Sequence, residues 1–336
     1  MRLLTLLLSA AALFAADPPS AEITNGPVRV KLYLPDPAAG FYRGSRFDWS
    51  GMIGSLEFAG HRFYGPWFQR TDPKVRDFAF DGAEIAAGLC SAAVGPAEEF
   101  LTDNKALGYD DAAPGGTFLK IGVGVLRRPD AAAYDRFKLY DIVNPGKWRI
   151  LPSKDSIEFV QQISDPSTGY GYSYSKTVRL VPGKPEMVLE HRLVNTGKRP
   201  IATRVYDHNF LTLDGDPPGP DFVISTPFAI HSERPPAPEL AAIHGTRIEY
   251  LKVLSGQDRV ATPMLGFDAT AAHNQVTVEN TRTGASVRFE GDRPLVNLAL
   301  WSIRAVLSVE PFIELSVQPG ETATWRWAYS YGVRKP

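Results

Sequence analysis

Cysteine is almost missing from this chain: its 336 residues hold one, Cys90, in "AAGLCSAAVG". One thiol closes no internal disulfide. Its Ala, Gly and Leu neighbours offer nothing to lower its pKa toward a reactive thiolate, so it is expected to be a buried structural residue. An excess of either charge is missing too, since 36 Lys and Arg stand against 37 Asp and Glu. That balance supplies no basic field for nucleic acid or an anionic membrane. The six histidines, at 61, 191, 208, 231, 244 and 273, show no HExxH or comparable spacing. The acidic stretch "DGDPPGPD" does not fit an EF-hand loop. No GxSxG elbow, P-loop or dinucleotide fingerprint occurs. Neither a metal nor a cofactor is expected.

What is present begins with "MRLLTLLLSAAALFAADPPS", one early arginine and an apolar run ending in small residues. This pattern reads as a secretory signal peptide over residues 1–16, too short to span a membrane. No later run is long and apolar enough for a spanning helix. The expected product is an exported protein, periplasmic or extracellular, with residues 17–336 as one domain.

Alternating β-branched and aromatic segments then dominate: "VRVKLYL", "SIEFVQQIS", "YSYSKTVRLV", "EMVLEHRLVN", "QVTVENT", "ASVRFEG", "PLVNLALWSI", "FIELSVQ" and "TATWRWAYSYGV". Each is bounded by Gly, Pro, Asn or Asp, and "NTRTGAS" and "VPGKPE" read as hairpin turns. The pattern predicts an all-β chain built as a large antiparallel sandwich. Helical signal is confined to a turn or two in "PDAAAYDRFKLYDIV" and in "APELAAIHG". The proline-rich stretch from "DGDPPGPDF" through "SERPPAPEL" is expected to be a loop over a site.

Three segments could carry chemistry. In "RVYDHNFLTLDG" strand alternation puts Arg204, Tyr206 and His208 on one face and Asp207 and Asn209 on the other. An imidazole on a polar, aromatic face can move a proton near neutral pH, or it can simply be hydrogen-bonded at a strand end. In "SVEPFIELSV", Glu310 precedes Pro311, which is expected to end or bend the strand there. Glu310 then faces either a cleft with Trp301 and Arg304 or solvent. In "GFYRGSRFDWSGMIGSLEFAGHRFYGPWF", Arg43, Arg46, Asp48, Trp49, Tyr64, Trp67 and Phe68 combine cations with aromatic plates. Sugar sites use such sets, and so do ordinary packed strand pairs. His61 reads as a turn residue. Glu98 and Glu99 are adjacent, so at most one faces a given cleft.

In order, these segments resemble the aldose 1-epimerase (galactose mutarotase-like) superfamily. The resemblance is carried by "TGYGYSYSKTVRLVPGKPEMVLEHRLVNTGKRPIATRVYDHNFLTLDG", "VTVENTRTGASVRFEGDRPLVNLALW" and "SVEPFIELSVQPGETATWRWAYSYG", roughly residues 168 to 332. It implies a β-supersandwich with an open sugar cleft. His208 matches the family's general acid, held protonated with Asp207 or a cleft carboxylate. Glu310 matches its general base, kept ionised with help from Arg304. The family's second histidine would fall near "AVGPAEEF", where Glu98 or Glu99 stands instead. Arg46, and after it Arg43, is the choice for the substrate-clamping arginine, and Trp301 for a ring-stacking wall. The implied activity is interconversion of sugar anomers. The alternatives are a non-catalytic carbohydrate-binding protein on the same fold and a polysaccharide lyase or hydrolase.

Overall fold

A computed structural model describes residues 17–334; the signal-peptide reading lies outside the described residues. Five strands form the sheet that matters most: β1 (Gly95–Leu101), β2 (Ile201–Phe210), β3 (Arg259–Pro263), β4 (Asn297–Ile303) and β5 (Val306–Val317). Their spatial order is β3-β4-β5-β2-β1, and every pairing is antiparallel. A ten-stranded antiparallel sheet lies against it, with Ser156–Asp165, Tyr170–Leu180, Glu186–Asn195 and Thr322–Val333 consecutive in its order. The segments read as strands from the sequence are strands. The expected helical turns are not: "PDAAAYDRFKLYDIV" runs as an irregular loop ending in a short strand, and "APELAAIHG" passes from a turn into strand Ala241–His244. In the first of these, the Asp130 and Asp135 carboxylates accept from the amides of Ala132 and Phe137, two residues on. Such local bonds compete with a helical nucleus, whose cost two turns cannot return.

Alternation along each strand of the small sheet divides its two faces. Ile201, Thr203 and Val205 of β2, with Ile313, Leu315 and Val317 of β5, face the large sheet and join Tyr172, Leu189, Trp325 and Tyr329 in one core. The opposite face carries Tyr206, Phe210, Ala97, Leu101 and Ile303, which pack beneath chain from the N-terminal third: Phe47, Trp67, Phe118 and Tyr140. His208 belongs to this second face. The site is therefore roofed by loops and floored by a sheet, and not enclosed between sheets.

Pro311 shapes that floor. Of the two expected effects, strand β5 does not end at it, because β4 pairs continuously along it from Phe312 to Val306. What breaks is the ladder between β5 and β2, which is interrupted after Tyr206 with Phe312 and resumes in the same register at Leu211 with Leu307. The Phe312 carbonyl accepts from the Val296 amide on the β4 side. By alternation the Pro311 nitrogen faces β2, where it has no hydrogen to donate. The two strands part only locally, between these two pairings, and the Asn209 side chain fills the gap by donating to the Val309 carbonyl at 3.0 Å. His208 and Glu310 stand at this parting.

Candidate functional site

The parting opens into a cavity of about 430 Å³, within the range of small-molecule clefts. His208 and Glu310 form part of its floor, Trp301 and Trp67 a wall, and Arg46, Arg136, Arg234 and Arg259 its cationic lining. Trp301 lies edge-on to His208 with ring centroids 5.6 Å apart, and the imidazole stacks on Phe210 at 3.8 Å.

His208 Nε2 and Glu310 Oε1 are 3.2 Å apart. The two groups are thus in contact, and no sugar ring fits between them; a substrate has to lie over the pair. His208 Nδ1 is buried without a hydrogen-bond partner among the described residues. The ring's tautomer is therefore set by what Nε2 meets, which is Glu310.

The electrostatics oppose the protonation states expected from the family pattern. Burial, with Arg46 adding to it, pushes the His208 imidazole well below its ordinary pKa, so the ring is neutral. Burial raises the Glu310 carboxyl to about 7, against the pull of Arg46 and Arg136. Below about pH 7 the carboxyl, and not the imidazole, carries the proton. Asp207 gives the imidazole no help: it lies on the other face of β2, accepts from Tyr329, and is itself raised by burial and the nearby Glu98 carboxylate. Alternation in the sequence already places it there.

Glu98 and Glu99 divide as their adjacency requires. Glu98 points between the two sheets, bonded to Lys176 and His191. Glu99 points toward the cavity side but stops short of it, fully buried behind Arg46. Arg46 Nε donates to Glu99 Oε2 at 2.8 Å, and Arg46 Nη2 to the Tyr206 hydroxyl at 3.0 Å. That hydroxyl in turn donates to Glu99 at 2.6 Å, and Lys120 donates to its other oxygen at 3.0 Å. Burial alone would raise the Glu99 carboxyl, but Lys120, Arg136 and Arg46 outweigh it and hold it ionised far below its usual range. Arg46 is a wall group clamped by Glu99, with its guanidinium over Phe47 and Phe137.

Two sequence choices fall elsewhere. Arg43 is exposed and donates to the Ala38 carbonyl. Arg304 lines a different groove, where its guanidinium binds the carbonyls of Gly82, Glu84 and Gly256 and covers Phe80. It extends from the turn after β4, away from Glu310. Of the aromatic set, Trp67 lines the cavity, whereas Asp48, Trp49 and Tyr64 are buried as packing or hydrogen-bonding groups. His61, expected in a turn, instead opens strand His61–Tyr64 just after the Ala59–Gly60 turn and pairs with Asp214 at 2.9 Å.

The sequence reading missed Asp77, Arg136, Arg234, Arg259 and Asn297, all in the cavity lining. Arg136 and Phe137 come from the segment expected to be helical. Arg234 comes from "SERPPAPEL", where the expectation of a loop over a site was a usable signal. Arg259 and Asn297 start strands, and nothing in their neighbourhood marks them.

No protein-family model matches the chain, and no curated protein matches it in sequence. Solved structures do match in shape. A galactose mutarotase-like protein from Lactobacillus casei superposes with a TM-score of 0.53 at 12% identity, over 93% of this chain and 100% of that one. A GalM/aldose epimerase homologue from C. elegans gives 0.54 at 13%, over 94% and 99%. A Synechocystis protein gives 0.55 at 11%, over 97% and 100%. At such identities the likeness is one of architecture, and it extends over nearly the whole of each chain: this protein has the galactose mutarotase-like, antiparallel β-supersandwich fold.

Proposed function

We propose that this chain is an exported aldose 1-epimerase-type isomerase that opens and recloses the ring of a sugar or sugar derivative. One observation carries the reading. An imidazole and a carboxyl group stand 3.2 Å apart on the floor of a cavity with an indole wall. Mutarotation needs an acid at the ring oxygen and a base at the anomeric hydroxyl. Both oxygens are bonded to C1, so two catalytic groups in contact with each other can reach both.

The proton balance follows from the pair. Glu310, carrying the proton, donates it to the ring oxygen while neutral His208 Nε2 accepts the anomeric hydroxyl proton. The C1–ring-oxygen bond breaks, the C1–C2 bond turns, and the return transfers close the ring on the other face. The reverse assignment, imidazolium as acid and carboxylate as base, uses the same number of protons. The depressed His208 and raised Glu310 favour the first assignment. Arg46, Trp301 and Trp67 supply the walls that orient the ring.

The test is anomer interconversion followed by polarimetry or exchange NMR over a sugar panel, with His208→Ala and Glu310→Gln alongside. Catalysis that survives both substitutions unchanged removes the assignment. A non-catalytic carbohydrate-binding role is the outcome if sugars bind and no anomer exchange is accelerated. Export is tested separately, by fractionating cells for processed protein.

A further inference from the structure

The cavity holds more positive charge than proton transfer on a neutral sugar requires. Four guanidiniums, of Arg46, Arg136, Arg234 and Arg259, line it against the two carboxyl groups of Asp77 and Glu310. Arg46 is committed to Glu99 and Tyr206. Arg234 and Arg259 are not spent on the fold, and Arg136 is committed only in part. Arg136 has an ion pair with Glu99 at a loose 3.7 Å and donates no hydrogen bond among the described residues. The guanidiniums of Arg234 and Arg259 make neither hydrogen bonds nor ion pairs among the described residues, although Arg234 is fixed through its backbone to Ser232 and Thr262. They come from three separate segments: the 130–141 loop, the 226–240 loop and the start of β3. Asp77 forms no ion pair with any of the three among the described residues; it accepts from Ser91 at 2.6 Å and lies 4.0 Å from Arg46.

A guanidinium offers a planar fork that matches carboxylate and phosphate oxygens, and free forks converging on one pocket make an anion site. We infer that the substrate of this site is an acidic sugar, whose carboxylate or phosphate group is held by Arg136, Arg234 and Arg259 while its anomeric carbon lies over His208 and Glu310. Arg234 and Arg259 are exposed and sit at the mouth, with Arg136 half-buried between them and the floor. The charged end of the sugar therefore points outward and the reacting end inward. Asn297 and Thr262, also in the lining, are left for its hydroxyls. This inference rests on the proposed sugar reading of the site and narrows it to a charge class.

The experiment measures anomer exchange and calorimetric binding for glucuronate, galacturonate, glucose 6-phosphate and galactose 6-phosphate against neutral glucose and galactose, in low and high salt. The expected result is a preference for one acidic pair of at least about 10²-fold in kcat/KM. That is below the 10⁴–10⁵ reached where unpaired groups are fully buried, because two of the arginines are exposed. The preference should shrink in high salt. Uronates against sugar phosphates decide which anion is meant. Arg234→Gln and Arg259→Gln, which remove no fold contact, should each raise KM or Kd for the acidic sugar about tenfold with an unchanged melting temperature, and Arg259→Lys should recover part of the loss. Neutral sugars handled as well as acidic ones, or acidic-sugar binding indifferent to these substitutions, overturn the inference. Acidic sugars bound in a manner sensitive to these variants, but never interconverted, uphold the inference and overturn the epimerase reading. Efficient exchange of neutral sugars alone does the reverse.

Discussion

Replacing Glu310 by Gln should make the protein more stable at alkaline pH and leave it unchanged at acid pH. The carboxyl is held in the folded protein at about 7, against an ordinary 4.5. Below 4.5 it is protonated in both the folded and the unfolded chain, and it contributes no pH dependence. As the pH rises from 4.5 toward 7, the unfolded chain releases the proton and the folded chain retains it, so each step of pH costs stability. Above about 7 the charge must be carried inside the cavity floor, and the loss is complete. A pKa difference of this size corresponds to about 3 kcal/mol, at 1.36 kcal/mol per unit. The side chain is 14% exposed, so solvent screening takes little of it. Glutamine keeps the shape and cannot ionise. Chemical denaturation of the two proteins at pH 5.0 and 8.5 reads the difference directly, because groups common to both cancel. The Gln variant should gain about 2.5 kcal/mol on the wild type between those values, since part of the loss has already occurred at pH 5.0. A stability difference that stays flat with pH would show that Glu310 is solvated like a surface carboxylate, and its assignment as the proton carrier would fall with it.

Three further outcomes follow from the same geometry. With Glu310 as the proton carrier, kcat/KM should fall about tenfold per pH unit above about 7, as the pair loses its mobile proton; a rate that keeps rising to pH 9 would contradict this. His208→Ala should reduce kcat by roughly 10²–10⁴-fold, with sugar affinity by calorimetry nearly unchanged, because the ring's neighbours Phe210 and Trp301 remain. Glu99→Gln should destabilise the fold by about 3–5 kcal/mol, since it strands Arg46, Lys120 and Arg136 around a neutral group in a buried place; denaturant midpoints measure it.

The floor of the site could be read from the chain and its rim could not, for a physical reason. A strand repeats every two residues, so "RVYDHNF" states which side chains share a face before any coordinates exist. The same rule separates Asp207 from His208 and Glu98 from Glu99, and each separation is seen. Pro311 announces a disturbance; only the pairing shows that it unzips one ladder and spares the other. Arg304 follows the strand that carries Trp301, yet the turn after β4 sends its guanidinium to backbone carbonyls on the far side. Arg136 and Arg234 sit in loops that have no repeat, where direction is decided by what the loop packs against.

That division also explains how one architecture accommodates different ligands. The residues that set the proton transfer, His208 and Glu310, are fixed by the parting of β2 and β5, which depends on a proline nitrogen and on Asn209 filling the gap at Val309. Any change there alters the ladder that both strands share with the core. The residues that set the charge of the ligand hang from three segments whose backbones are anchored independently of their guanidiniums: the 130–141 loop by Arg76 bonding Asp135 on both oxygens at 2.9 Å, the 226–240 loop by Ser232 and Thr262, and β3 by its pairing with β4. Removing a guanidinium at the rim therefore leaves the floor intact, and chemistry and recognition vary separately. Rim arginines are thus the positions where substitution should change which sugar is taken while the pair beneath continues to exchange its proton at the same pH.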